Sequence, residues 1–279
     1  MKSLASKYII ANVLLFTIGG IVTVLLQHFC GNFPVEIFRF PLNLIIMVVW
    51  LYILMELYKA RKYNIVTRYL LSNEATWMSI TLLILACIAM GLQRHPATTS
   101  YPFVLAIFYT LTQLTLVIMR GWRNSEGVRW RFLCNHVGLW LAVGAGFWGS
   151  PDMDVLRTIV DTEQPTQVAY RMDGSASTLK YNLQLMDFRA EYYENNTPSS
   201  YEADIMIDGQ RVTLSVNHPH AHSFIEDIYL TAYDYNSNGV YCIIQIVKQP
   251  AKWVMAIGII MLIAGAIMMF VQGYKPKVS

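Results

Sequence analysis

Apolar residues fall into six blocks, at positions 8–27, 41–58, 75–92, 102–119, 132–148 and 253–271. Each is close to the roughly 20 residues that an α-helix needs to cross a hydrocarbon core, so the pattern predicts six transmembrane helices. The fifth block is interrupted by His136 and rich in Gly and Ala, so it spans only if its polar face meets protein rather than lipid. Between residues 152 and 248 the apolar period changes to two, as in Tyr181-Asn-Leu-Gln-Leu-Met, Ala203-Asp-Ile-Met-Ile-Asp and Val212-Thr-Leu-Ser-Val. Such alternation marks half-buried strands. Asp208-Gly209 separates two of these runs, the signature of a two-residue hairpin turn that needs positive φ. Asn236-Ser-Asn-Gly239 separates residues 228–235 from 240–247 in the same way.

The expected fold is a membrane protein of six transmembrane α-helices, with an external antiparallel β domain inserted between helices five and six. That domain is a sheet or sandwich of about seven short strands, large enough at roughly 100 residues to bury a modest core. Residues 1–74 read as a two-helix membrane hairpin and cytoplasmic loop, and residues 75–150 as a three-helix membrane segment. Residues 151–249 form the external domain, and residues 250–279 the last helix and a cytoplasmic tail.

Composition agrees: 55% of residues are apolar or aromatic and 14% charged, with a mean hydropathy of +0.39. Soluble domains carry about a quarter charged residues. The net charge of +3 hides a division, because residues 149–248 hold 14 acidic and 6 basic side chains while the remainder holds 4 and 15. Basic residues cluster on alternate loops: Lys2 and Lys7; Lys59, Arg61, Lys62 and Arg68; Arg120, Arg123, Arg129 and Arg131; Lys275 and Lys277. The opposite loops carry chiefly Arg39 and Arg94. Lys and Arg are retained on the cytoplasmic side, so both termini are expected there and the acidic domain outside.

The first block is too long for a signal-peptide core and no A-x-A-like site follows it, so it is expected to stay in the mature protein. Trp122, Trp130, Trp148, Trp253 and Tyr274 fit interfacial belts. Cys30, Cys87, Cys134 and Cys242 form no CxxC, no haem-attachment box and no zinc spacing. Nothing places Cys30 beside Cys242. No nucleophile elbow, phosphate loop or HExxH occurs, and Asn195-Asn196-Thr197 is a sequon of a kind common by chance. An independent transporter is disfavoured by the lack of an internal repeat and by Glu36, Glu56, Glu74 and Glu126 lying at block ends or in loops.

His136 is the most informative residue, because an ionisable group within an apolar block costs a few kcal/mol on insertion scales. It is expected about one turn in from the cytoplasmic face, with Trp140 and Gly144 above it at i+4 and i+8. Gly144 would leave room for a flat ligand. Gly138, Ala142, Ala145 and Gly146 form a second, small-residue face suited to another helix. By itself His136 is either a histidine bonded to a neighbouring helix or a ligand or proton-path residue. His218-Pro-His-Ala-His222 sets three imidazoles at alternate positions, as an external metal or haem contact requires, although Pro219 argues against a regular central strand. His218, His220 and His222 also fit an exposed turn. His28 and His95 stand alone in short loops.

Several ordered features resemble the ResB/CcsB family of cytochrome c biogenesis proteins (system II). Residues 183–193, Leu-Gln-Leu-Met-Asp-Phe-Arg-Ala-Glu-Tyr-Tyr, are similar to the family's strand ending in a tyrosine pair, followed by Pro198-Ser-Ser-Tyr201. Ser215-Val-Asn-His-Pro219 resembles its V-N-x-P turn, and Ile228-Tyr229 with Ala232-Tyr233 its aromatic strand. Gln245-Ile-Val-Lys-Gln-Pro250 resembles the strand and proline that lead into a final helix bearing Gly258 and Gly265. Residues 102–120 and the start His136-Val-Gly-Leu resemble the helices before the family's external domain. The resemblance runs from about residue 75 to residue 271, and the first two helices are additional to it.

The resemblance implies a subunit, non-catalytic or co-catalytic within a cytochrome c synthetase complex, that moves haem outward and supports its covalent attachment to apocytochrome c. It makes His136 the preferred ligand of a transiently bound haem. The implied partners are a CcsA-like haem-handling membrane protein, apocytochrome c and membrane lipids, with no nucleic acid. The alternative is a non-haem membrane scaffold or sensor whose external β domain binds a ligand.

Overall fold

The computed structural model describes residues 2–62, 64–92, 98–125, 127–235 and 239–272. Arg94, His95, Glu126, Asn236, Ser237, Asn238, Tyr274, Lys275 and Lys277, which entered the expectations above, lie outside the described residues. The chain forms two compact units, Met1–Pro151 with Ala251–Ser279, and Asp152–Pro250.

Among the described residues the first unit holds seven α-helices: α1 (Lys2–Cys30), α2 (Leu42–Lys59), α3 (Ile65–Leu70), α4 (Asn73–Leu92), α5 (Tyr101–Gly121), α6 (Trp130–Gly149) and α7 (Lys252–Gln272). A hairpin of two short strands, β1 (Arg123–Asn124) and β2 (Gly127–Val128), joins α5 to α6. Among the described residues five segments are long and apolar enough to cross a membrane: Lys7–Cys30, Leu42–Lys62, Asn73–Leu92, Tyr101–Gly121 and Lys252–Val271. They leave large apolar side chains such as Val13, Ile45, Ile88, Ile260 and Phe270 exposed, so the chain is a multi-pass membrane protein. The sixth expected span, α6, matches the others in length. Arg131, Asn135, His136 and its glycines make it less apolar.

α5 is the hub, packed against α1, α2, α4 and α6. α1 and α2, expected as a separate hairpin, each pack on α5. Its buried threonines return their hydroxyls to the preceding turn, Thr110 to the Ala106 carbonyl and Thr115 to the Leu111 carbonyl, both at 2.8 Å. That satisfies polar groups where water is excluded. Trp50, Leu54, Ile107 and Leu111 form the core, with Phe108, Trp140, Phe147 and Trp148 around them. Trp148, expected in an interfacial belt, packs 5.8 Å from Trp50, and its backbone carbonyl accepts from Asn43 Nδ2 at 2.9 Å. The short helix α3 lies in the expected cytoplasmic loop, where Asn64 caps it by accepting from Val66 N and Thr67 N.

The second unit is one antiparallel sheet of eight strands: β3 (Asp154–Asp161), β4 (Thr166–Tyr170), β5 (Ala176–Tyr192), β6 (Pro198–Ile207), β7 (Gln210–Ser215), β8 (His220–Ala221), β9 (Glu226–Tyr233) and β10 (Tyr241–Lys248). Their order is β7-β6-β5-β4-β3-β10-β9-β8. The period-two alternation buries Leu179, Tyr181, Leu183 and Leu185 of β5 with Ala203, Ile205 and Ile207 of β6, and the same cluster takes in Leu214 of β7 and Ile228 of β9. Residues from both ends of the strand order share one core, so the sheet curls on itself. Asp208 (φ 48°) and Gly209 (φ 81°) make the expected turn, with Ile207 paired to Gln210. The first and last strands pair along their length, from Asp154 with Lys248 to Asp161 with Tyr241. Cys242 is fully buried in this core, and burial pushes its thiol up to about 12. All four cysteines are free.

Asp204 is the buried charge of the sheet's outer face. It accepts from Thr213 Oγ1 and Arg211 at 2.6 Å and from Arg189 at 3.3 Å. The Thr213 hydrogen bond and the two guanidiniums outweigh burial and hold the carboxyl at about 2, below its ordinary 3.8. A depressed carboxyl stabilises the fold fully above its unfolded pKa, and the contribution is lost as pH falls through 3.8 towards 2. Denaturant unfolding of the full chain in detergent should show the β domain losing on the order of 2 kcal/mol over that range, and D204N should flatten the loss.

Candidate functional site

α6 carries two functional faces set by its 3.6-residue period. On one, Gly138 and Gly258 of α7 bring two backbones together. A Cβ on Gly258 would lie 2.6 Å from Ala142 N and 2.7 Å from the Gly138 carbonyl oxygen, and one on Gly138 would lie 2.8 Å from the Gly258 carbonyl oxygen. Further along, Gly265 faces Asn135, whose amide is 2.6 Å from where a Cβ would stand. Asn135 Nδ2 donates to the Arg131 carbonyl at 2.9 Å. Gly146 meets the Met255 methyl and Ala145 is buried, so the small-residue face does pack on protein.

The other face presents Phe132, His136, Trp140 and Gly144 in register. Phe132 lies on Gly121 at the end of α5, where a Cβ would stand 2.5 Å from its ring. The His136 ring stacks on Phe132 at 3.9 Å and 21°, and the Arg129 guanidinium covers the Phe132 ring at 4.9 Å. His136 Nδ1 is 2.9 Å from the Phe132 carbonyl oxygen. A carbonyl can only accept, so Nδ1 carries a proton, and in the neutral tautomer that makes this bond the lone pair falls on Nε2. Among the described residues Nε2 has no partner. The ring is half-buried and held in one orientation by the stack and the hydrogen bond.

Trp140 donates from Nε1 to Thr115 Oγ1 of α5 at 2.8 Å. Its ring reaches over Gly144, 3.7 Å from where a Cβ would stand, with Leu111 at 3.9 Å. The slot expected beside Gly144 is therefore filled by Trp140, because the Thr115 bond fixes the indole there.

His218, His220 and His222 do not share one strand face. β8 is only two residues long, Asn217 turns the chain with φ 62°, and Pro219 withholds the amide that would extend the strand. His218 is exposed; His220 and His222 lie 6.3 Å apart along a cleft of about 170 Å³ with Ile207, Asp208, Gln210 and Val212. No group of three or more metal-ligating side chains occurs among the described residues. His222 packs 4.2 Å from Tyr181, whose hydroxyl donates to Glu226, and Lys248 Nζ lies 3.5 Å from the same carboxylate. Burial and this carboxylate raise the Tyr181 phenol and keep it protonated. The chain from His222 to Lys248 had no signal in the sequence, because its members are far apart in it.

Residues 127–244, from β2 through α6 and the β domain into β10, match the model of the ResB-like family. Over this stretch the chain is ResB-like. The matched stretch contains His136, the β-domain histidines and the whole core of the sheet except Ile246. It is narrower than the resemblance drawn from the motifs, which extended back to residue 75 and forward to 271. No curated protein matches the chain.

The α6–α7 contact predicts a steric response. Gly258→Val should destabilise the helical unit by about 1–3 kcal/mol, because the clash is with backbone rather than a movable side chain. Gly20→Ala, with nothing within 4 Å of its Cβ, should leave stability unchanged. Thermal unfolding in the same detergent checks both.

Proposed function

We propose that this chain is the ResB-like subunit of a membrane complex that moves haem to the outer side of a bacterial plasma membrane and supports its attachment to apocytochrome c. The ResB-like match over residues 127–244 supports a role in cytochrome c biogenesis. The observation that carries the haem reading is the hydrogen bond between His136 Nδ1 and the Phe132 carbonyl, which leaves Nε2 as an axial donor. Haem is cargo here, held transiently. Positive-inside asymmetry puts Arg120, Arg123, Arg129 and Arg131 on the cytoplasmic side, so His136 meets haem arriving from within. α6 is then the sixth span, its polar residues covered by α5 and α7. A CcsA-like membrane protein supplies the second haem-handling surface, and the acidic outer domain, with 14 acidic against 6 basic residues, favours a basic polypeptide.

A second reading has one observation behind it, the cleft beside His220 and His222, which suits a non-haem scaffold or sensor with a ligand-binding β domain. Visible spectra of the purified chain, alone and with its CcsA-like partner, separate the two. Wild-type protein should carry a haem band. H136G should lose haem by about tenfold or more, and added imidazole should restore it by filling the vacated space. Replacing His218, His220 and His222 together by alanine should leave the band intact. Full haem retention in H136G without imidazole, or loss in the triple variant, would refute ligation by His136.

A further inference from the structure

We infer that the tyrosine-lined end of the β domain is a docking surface for an extended polypeptide segment rich in basic side chains. Phe188 and Tyr192 of β5, Tyr201 of β6, Tyr233 of β9 and the following Tyr235 form one continuous set of rings. Phe188 and Tyr201 lie 4.6 and 5.0 Å from Tyr233, and Tyr235 is 6.3 Å from both Tyr192 and Tyr233. Phe188, Tyr201 and Tyr233 rest on the hydrophobic core, whereas Tyr192 and Tyr235 are 40% and 57% exposed.

The platform is fixed in place. Tyr235 donates to the Asn196 carbonyl at 3.0 Å, and the Tyr192 and Tyr233 hydroxyls are 3.4 Å apart. Gly239 (φ +85°) runs against Phe188 so closely that a Cβ would stand 2.1 Å from the ring. Ordered rings offer contact area at little entropic cost to a partner.

Charge selects the occupant. The domain holds 14 acidic against 6 basic residues, Glu194 is exposed in the turn just after Tyr192 and Tyr193, and Asp234 stands between Tyr233 and Tyr235 in the chain. Arg189 is engaged by Asp187, Glu202 and Asp204. Aromatic faces on so acidic a domain attract ammonium and guanidinium groups by cation–π contact and by field. In an extended segment alternate side chains recur about every 7 Å, close to the 6.3 Å between the outermost rings. The phenol hydroxyls add hydrogen bonds that a set of phenylalanines would lack. This inference uses the β domain alone and does not depend on His136 binding haem.

The test uses the full chain in nanodiscs of neutral lipid and a fluorescent peptide with lysine at alternate positions, beside the same peptide with glutamate in place of lysine. Anisotropy should report binding of the lysine peptide, weakened by salt, and none of the glutamate peptide. Replacing Tyr192 and Tyr235 together by leucine should weaken binding roughly five- to thirtyfold, while replacing both by phenylalanine should keep it within about threefold. E194K leaves the rings intact and should also weaken it. Unchanged affinity in the leucine variant, equal binding of the two peptides, or indifference to the charge reversal would overturn the inference. Haem content measured on the same preparations keeps its failure distinct from failure of the haem reading.

Discussion

The contact between Gly138 and Gly258 constrains much of the helical unit. Two helices can bring their backbones this close only where neither carries a side chain, and in lipid such packing replaces the hydrophobic drive that joins helices in water. The contact fixes the rotation of α6 about its axis. With Gly138 turned to α7, Asn135 falls opposite Gly265, and the face with Phe132, His136 and Trp140 is turned towards α5. α6 is the least apolar of the long helices, and this embrace supplies protein for its polar atoms to meet. Within the β domain an analogous closure holds the chain ends, because the first strand, β3, and the last, β10, pair along their length.

Polar groups on α6 and α5 can be sorted by whether their hydrogen bonds close. Asn135 bonds to the preceding turn and fills the space over Gly265; Thr115 donates to the Leu111 carbonyl and accepts from Trp140 Nε1. These residues are explained by packing. His136 is explained only in part, since Nδ1 is used and Nε2 is not. An imidazole held by stacking and by one hydrogen bond, with its other nitrogen uncommitted, has lost the freedom to turn away from a ligand.

The sequence made the apolar helices and most of the sheet legible because each rests on a local period. Tyr181, Leu183 and Leu185 alternate inward as their spacing requires, and Asp208-Gly209 turns where a primed turn must. What escaped was long-range. Tyr181 and Glu226 lie 45 residues apart, and Trp140 meets Thr115 across a helix pair. Gly144 is the instructive error, since a missing Cβ suggested room for a ligand and the neighbouring indole took it. His218, His220 and His222 looked equivalent by spacing, yet a left-handed Asn217 and Pro219 turn His218 away from the cleft.

The β domain carries its polarity in two different ways, and the contrast bears on what each surface is for. Around Asp204 every charge is answered: one buried carboxylate is met by Thr213, Arg211 and Arg189, so the cluster holds β5, β6 and β7 together and offers little to a partner. At the tyrosine end the rings are answered by one another and by two backbone carbonyls, while Tyr192 and Tyr235 stay exposed to water. A protein stabilised only from within would gain by turning such rings inward or replacing them with polar residues. Keeping Tyr192 and Tyr235 outward, on an acidic domain and a glycine-tight foundation at Gly239, is a cost that folding alone does not explain.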